Sequence, residues 1–155
     1  MTNASPIRHI VRADLPALKQ VIASTDLFPP DMLEEMVPDD LDTSSGQALW
    51  LTHADPEPLA IAYAAPEPMT QGCWNLYLIA VHGDHHSRGI GQSLLRYVES
   101  NLVAEGVRVL LVETSSDAAF ARTRGFYAQA GYEEEARVRD FYDAGEDKII
   151  FRKVL

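Results

Sequence analysis

Residues 74–95 read WNLYLIAVHGDHHSRGIGQSLL, and this stretch decides how the chain is to be read. Trp74–Val81 is a long run of β-formers and predicts a strand. From Ile90 onward, Leu94, Leu95, Val98 and Leu102 recur at helical spacing, and Gly106 stands where such a helix would stop. The polar loop 82–89 joins the two. The first N–H groups of a helix have no partner within it, and the helix dipole adds partial positive charge there. Gly89 and Gly91 let a ligand approach the backbone, and Arg88 adds a fixed cation suited to phosphate. The residue types describe a pyrophosphate cradle between a strand and a helix.

Other phosphate loops fit poorly. A Walker A string, GxxxxGK[ST], is absent. The dinucleotide fingerprint GxGxxG loses its third glycine, because Leu94 fills that place.

Working outward, Ile7–Val11 reads as a short strand. A helix follows, with Asp14 as N-cap, Pro16 in its first turn, and Leu15, Leu18, Val21 and Ile22 at helical spacing. Pro29-Pro30 breaks the chain, and Met32–Val37 predicts a second short helix; 39–46 is an acidic loop. Ala48–Thr52 and Leu59–Ala65 look like a hairpin. Beyond Gly106, the aliphatic run Val107–Val112 suggests a strand buried on both faces. A helix from Asp117 to Gly131 and two strands, Tyr132–Phe141 and Lys148–Val154, complete the order. The strand–helix–strand unit from Trp74 to Val112 implies local parallel pairing inside an otherwise antiparallel sheet. The class is mixed α+β, with no repeat or linker, so residues 1–155 are expected to form one domain.

The 155 residues are 46% hydrophobic and 23% charged, the balance of a soluble globule, and no apolar run is long enough to span a membrane. The first fifteen residues lack the pattern of a secretory signal. Cys73 is the lone cysteine, so no intrachain disulfide is expected and a cytoplasmic location follows. The net charge of −10 argues against nucleic-acid binding. It either keeps the protein soluble or concentrates a cationic substrate.

His86-Ser87-Arg88-Gly89-Ile90-Gly91 resembles the [QR]xxGx[GA] signature of the GNAT family of N-acetyltransferases. Gly125-Phe126-Tyr127-Ala128-Gln129-Ala130-Gly131-Tyr132 resembles the family's FYxxxG[FY] segment, at the expected separation. The resemblance implies a GNAT-like acyl-CoA N-acyltransferase fold: a mostly antiparallel central sheet, flanked by helices, whose parallel fourth and fifth strands splay apart. It implies acetyl-CoA as acyl donor. Its pantetheine arm would pair with Ile79, Ala80 and Val81, and its pyrophosphate would meet Ser87, Arg88, Gly89, Ile90 and Gly91, with Gln92 nearby. His86 replaces the family's Gln or Arg, which makes its contribution pH-dependent. Phe120 replaces an asparagine that touches the donor in many members; Thr123, Ser115 or Ser116 could substitute.

Amine attack on a thioester needs a neutral amine, a site for the oxyanion and a proton for the leaving thiolate. Tyr127 matches the family's general acid, and packing in the core would explain the same residue. The family's glutamate on the fourth strand is missing. Glu113 is the acidic candidate for a base; a water relay, or an amine that arrives neutral, are the alternatives. His82, His85, His86 and Asp84 lie too close together on one loop to suggest a metal site. For the acceptor, the family geometry points to segments 27–40 and 140–147, hence to Phe28, Asp140, Tyr142 and Asp143. Acids with aromatics there suit a small-molecule amine, possibly cationic. The competing class is a catalytically silent acyl-CoA-binding sensor on the same fold. Homodimerisation through strand edges stays open.

Overall fold

The computed structural model describes residues 5–41, 47–86 and 88–155. Seven strands and four α-helices alternate as expected from the sequence: β1 (Ile7–His9), α1 (Leu15–Thr25), α2 (Met32–Met36), β2 (Leu49–Ala54), β3 (Pro58–Pro66), β4 (Cys73–Val81), α3 (Ile90–Ala104), β5 (Val109–Ser115), α4 (Ala121–Gln129), β6 (Glu133–Asp143) and β7 (Glu146–Val154). The strand order is β1-β2-β3-β4-β5-β7-β6. The β4–β5 pair is parallel, whereas β1–β2, β2–β3, β5–β7 and β6–β7 are antiparallel. The chain divides into two compact units, residues 1–65 with 78–101 and residues 66–77 with 102–155.

In the first unit, α1 and α2 close over β2, β3 and the C-terminal half of β4. Leu18, Val21 and Ile22 of α1 and Leu33 of α2 are fully buried, and they join Trp50, Ile61, Leu78 and Ala80 in one core. Trp50 stacks on Tyr63 across the β2–β3 ladder, with ring centroids 3.9 Å apart. Asp14 occupies the N-cap position of α1 but makes no capping bond. Its carboxylate is held elsewhere, by a two-pronged pair with Arg8 at 2.7 and 2.9 Å and by the Val11 N–H at 2.9 Å. A bidentate charged partner outcompetes a single backbone amide.

In the second unit, β5 is sandwiched between β4 and β7. Leu110, Val112 and Thr114 are buried on one face, but Val109 and Leu111 are only half-buried and Glu113 is exposed on the other. The expectation of a strand buried on both faces is therefore corrected: helical cover lies on one side, and the opposite side carries polar residues. Within the second unit the pairing of β4 with β5 runs from Cys73–Val109 to Leu76–Val112. The predicted acidic loop 39–46 lies, from residue 42 on, outside the described residues.

Candidate active site

The loop after β4 belongs to the first unit. His82 N–H donates to the Leu59 carbonyl at 2.8 Å, which ties the loop to β3. Asp84 N–H donates to His82 Nδ1 at 3.1 Å and opens a short 3-10 turn over Gly83–His85. Gly83 N–H donates to Ser24 Oγ at 2.9 Å, and a Cβ at Gly83 would sit 3.3 Å from the Ser24 carbonyl oxygen, so α1 buttresses the turn. His86 folds back, its Nε2 lying 2.8 Å from the Val81 carbonyl oxygen. A carbonyl only accepts, so Nε2 carries the proton, and in the neutral ring Nδ1 is an acceptor. Arg88 Nη1 donates to His85 Nδ1 at 3.2 Å. Ser87 lies outside the described residues.

Gly89 adopts φ +77°, and a Cβ placed there would meet no atom within 4 Å. The left-handed backbone turns the chain into α3, and the space beside it is open. The first intrahelical bond runs from Ser93 N–H to Gly89 O at 3.0 Å. The amides of Ile90, Gly91 and Gln92 precede it and head the helix, the position where backbone N–H groups lack partners within the helix itself. Ile90 is buried as an anchor, Gly91 is half-buried and Gln92 is exposed. On β4, Ala80 is buried among the α1–α2 core residues while Ile79 and Val81 are half-buried.

The second unit positions Tyr127 through a helix cap. Gly131, at φ +93°, donates its N–H to Ala128 O at 3.2 Å, and Tyr132 N–H reaches Tyr127 O at 3.0 Å. These are the two bonds of a Schellman motif, whose accompanying apolar contact is the Tyr127–Tyr132 ring pair at 5.8 Å. The sequence string FYxxxGY is thus the C-terminal cap of α4, and it fixes Tyr127 three residues before the cap. Lys153 Nζ completes the end by donating to Ala130 O at 2.8 Å. Tyr127 is 3% exposed, wedged among Phe126, Tyr132 and Phe151, and burial pushes its phenol well above the usual tyrosine range. At the other end of α4, Arg124 donates to the carbonyls of Ser115 and Asp117 at 2.6 and 2.9 Å, clamping the helix onto the end of β5. The Ser115 hydroxyl donates to Glu146 at 2.5 Å and Ser116 Oγ accepts from Asp147 N–H at 2.7 Å. Thr123 is half-buried in the first turn of α4.

Glu113 stands on the polar face of β5. Its Oε1 accepts from Asn75 Nδ2 at 3.3 Å and its Oε2 lies 3.4 Å from Lys148 Nζ, with about a third of the side chain exposed at 32%. Asn75 Nδ2 also donates to Glu67 Oε1 at 2.9 Å, which takes the Tyr77 hydroxyl at 3.2 Å as well. Lys148 lies 4.1 Å over the Phe141 ring. The Tyr142 phenol is raised by partial burial first, and then by the charges of Glu113 and Glu146. Asp140 and Asp143 shape the β6–β7 hairpin: their Oδ1 atoms each accept at 2.7 Å, from Gly145 N–H and Ala144 N–H respectively. Phe28 belongs to the first unit, half-buried against its core. Among the described residues no group of three or more His, Cys, Asp and Glu could hold a metal ion, and no helix is long and apolar enough to cross a membrane.

Residues 45–134 match the sequence profile of the acetyltransferase (GNAT) domain. The chain belongs to the GNAT family of acetyltransferases. Over 100 residues it is 32% identical to the amino-acid acetyltransferase of Ectopseudomonas mendocina, a match covering 64% of this chain and 23% of that protein. The chain therefore spans about a quarter of the length of that relative. The structure superposes on a GNAT-family protein from Desulfovibrio desulfuricans with a TM-score of 0.88 and 32% identity, over 96% of this chain and 97% of the other. The ribosomal-protein-S18-alanine N-acetyltransferase of Escherichia coli shares the fold at a TM-score of 0.76 and 22% identity, over 96% and 92%. An aminoglycoside 6'-N-acetyltransferase solved with coenzyme A shares it at 0.70 and 17%, over 96% of both chains.

Within this GNAT chain, the sequence-predicted residues fall into local groups. Ile79–Val81, His86 and Arg88–Gln92 share the strand–loop–helix segment of the first unit. Glu113, Thr123, Tyr127, Asp140, Tyr142 and Asp143 lie in the second. Sequence reasoning missed Asn75, Glu67 and Lys148 around Glu113, and Ser24 behind Gly83. Only Asn75 left a signal: it is the one amide in an otherwise apolar strand.

Proposed function

We propose that the chain is an acetyl-CoA-dependent N-acetyltransferase that acetylates a primary amine of a small molecule or peptide by direct attack in a ternary complex. The observation that carries this reading is the Gly89 turn, with a left-handed backbone, open space beside it and the first amides of α3 following. A backbone so arranged is suited to a pyrophosphate, with Arg88 beside it. Ile79–Val81 and Thr123 take the pantetheine arm. His86 Nε2 is engaged by the Val81 carbonyl, which leaves Nδ1, a donor only when the ring is protonated, as its group for phosphate.

Glu113 takes a proton from the acceptor's ammonium, and the neutral amine forms its C–N bond as the thioester C–S bond breaks. The Tyr127 hydroxyl donates to the departing sulfur. Burial keeps that phenol protonated but also makes it a weaker acid. Transfer of its proton is therefore completed only as the new amide nitrogen gives up its own. The acceptor is a primary amine, cationic before reaction, met by Asp140, Tyr142 and Asp143 of the β6–β7 hairpin. Amine chemistry is common to the relatives: their names specify amino acids, a ribosomal-protein alanine and aminoglycosides as acceptors. A lone half-buried thiol, Cys73, fits a reducing compartment such as the cytoplasm.

Thermal unfolding with acetyl-CoA, ATP and NAD tests the donor. At a hundred times its dissociation constant the true ligand stabilises by about 2.7 kcal/mol. A shift with ATP or NAD and none with acetyl-CoA refutes the reading. Coenzyme A release with a panel of amines tests the transfer; binding of acetyl-CoA without turnover on any amine would instead make the chain an acyl-CoA sensor.

A further inference from the structure

Asn75 is 1% exposed and sits in β4 opposite Leu111 of β5, so Glu113, two residues on, lies on the same face of the sheet. Its Nδ2 reaches two carboxylates, Glu67 Oε1 at 2.9 Å and Glu113 Oε1 at 3.3 Å. Turning the amide over would aim its oxygen at both anions, so the orientation is dictated by charge. The consequence is that Asn75 Oδ1 is buried with no hydrogen-bond partner among the described residues. A buried, unsatisfied acceptor opposes folding, and a leucine in the same space would avoid that cost. β4 thus keeps a buried polar group whose oxygen goes unpaired, and what its nitrogen does there is hold Glu113 and Glu67.

We propose that Asn75 is a positioning residue for the proton-accepting carboxylate, tying Glu113 to Glu67 so that the Glu113 carboxylate presents a fixed face to the acceptor amine. This rests on the reading of Glu113 as the base. With Oε1 held by Asn75 and Oε2 beside Lys148, the carboxylate is anchored from β4 and from β7, and its remaining lone pairs are the ones left for a proton. Glu67 fixes Asn75 in turn and is itself steadied by the Tyr77 hydroxyl. Other charged or titratable groups near this cluster are Tyr142, whose phenol is influenced by Glu113 and Glu146, and Cys73, whose thiol is influenced by Glu67, Arg108 and Arg152.

The test uses the full chain with acetyl-CoA and three acceptor probes: the common amino acids, an alanine-initiated peptide and an aminoglycoside, with coenzyme A release as readout. Asn75→Leu should lower kcat about tenfold and leave the KM for acetyl-CoA unchanged, while the melting temperature holds or rises. Opposite signs for activity and stability are what a purely structural asparagine would not give. In a Glu113→Gln background the same substitution should cost no further activity. Should Asn75→Leu fail to fold, Glu67→Ala, which removes one anchor of the amide, should lower kcat about threefold or more with the fold kept. If Glu113→Gln retains full turnover, or no probe is acetylated, the reading of the base fails and the inference with it. If Glu113→Gln is slow but Asn75→Leu or Glu67→Ala turns over like the parent, the positioning role alone is overturned. An equal loss from Asn75→Leu in both backgrounds also overturns it.

Discussion

Gly89→Ala separates backbone strain from ligand contact, because the protein contains its own control. Gly89 and Gly106 adopt nearly the same conformation, φ +77° and +82°, and a Cβ at either meets no atom within 4 Å. An alanine at each position therefore suffers the same left-handed strain, about 1–2 kcal/mol, with no added clash. For a domain of this size that lowers the melting temperature by about 2–8 °C in both variants. Gly106 closes the C-terminus of α3, donating to Val103 O at 3.0 Å, and takes no part in the proposed cradle. At Gly89 the new methyl projects into the space assigned to the pyrophosphate. A tenfold loss of affinity, about 1.4 kcal/mol, is the smallest effect expected of it. At an acetyl-CoA concentration that gives the parent about 2.7 kcal/mol of stabilisation, Gly89→Ala should then gain only about 1.4 kcal/mol. Gly106→Ala should gain the parental amount. Thermal unfolding with and without acetyl-CoA measures both numbers on each variant. Equal ligand-induced shifts in the two variants would refute the cradle.

Tyr127→Phe should lower kcat about a hundredfold with the acetyl-CoA dissociation constant within a factor of three, measured by steady-state kinetics and calorimetry; a matching loss of binding would make the hydroxyl a donor-site contact and not a proton donor. Asp14 is held below the ordinary carboxylate range chiefly by its hydrogen bonds to Arg8, so the stability it contributes is present above pH about 4 and lost as pH falls through its depressed value. Asp14→Asn should cost about 1–2 kcal/mol at pH 7, kept small by the partial exposure of Arg8, and should flatten the acid limb of urea-melt stability against pH; an unchanged limb would assign the acid sensitivity to other groups. Leu94 is fully buried and Val103 is 54% exposed on the same helix, so Leu94→Ala should lose about 2–5 kcal/mol in urea melts and Val103→Ala less than about 0.5. Similar losses at the two would mean that α3 does not bury the face assigned to it.

The order of elements was legible because each long segment carries an unmixed period. Leu94, Leu95, Val98 and Leu102 form a stripe at helical spacing, and all four are 1% exposed or less. Capping bonds followed less well where side chains have competing partners. Asp14 has the sequence signature of a cap, but Arg8, six residues away across a turn, claims both of its oxygens. The apolar run 107–112 looked doubly buried because hydrophobicity does not report which face receives a helix. In the fold α4 covers the face of Val112 and Phe151, and leaves Val109 and Leu111 half-exposed.

The site was legible to the extent that its parts are local. The Gly89 turn and the Tyr127 cap are each defined within about eight residues, since backbone conformation and helix-end hydrogen bonds are short-range, and glycine marks where φ must be positive. Glu113 could be singled out but not explained, because its neighbours come from Glu67, Asn75 and Lys148, brought together only by strand pairing. Asn75 shows what kind of trace such a contact leaves. An amide in a strand that otherwise reads as apolar contradicts the local pattern, and a contradiction maintained at the expense of a buried unpaired oxygen indicates a demand from outside the strand. Periodicity locates the scaffold; departures from it, checked against burial and hydrogen bonding, locate the residues that answer to chemistry.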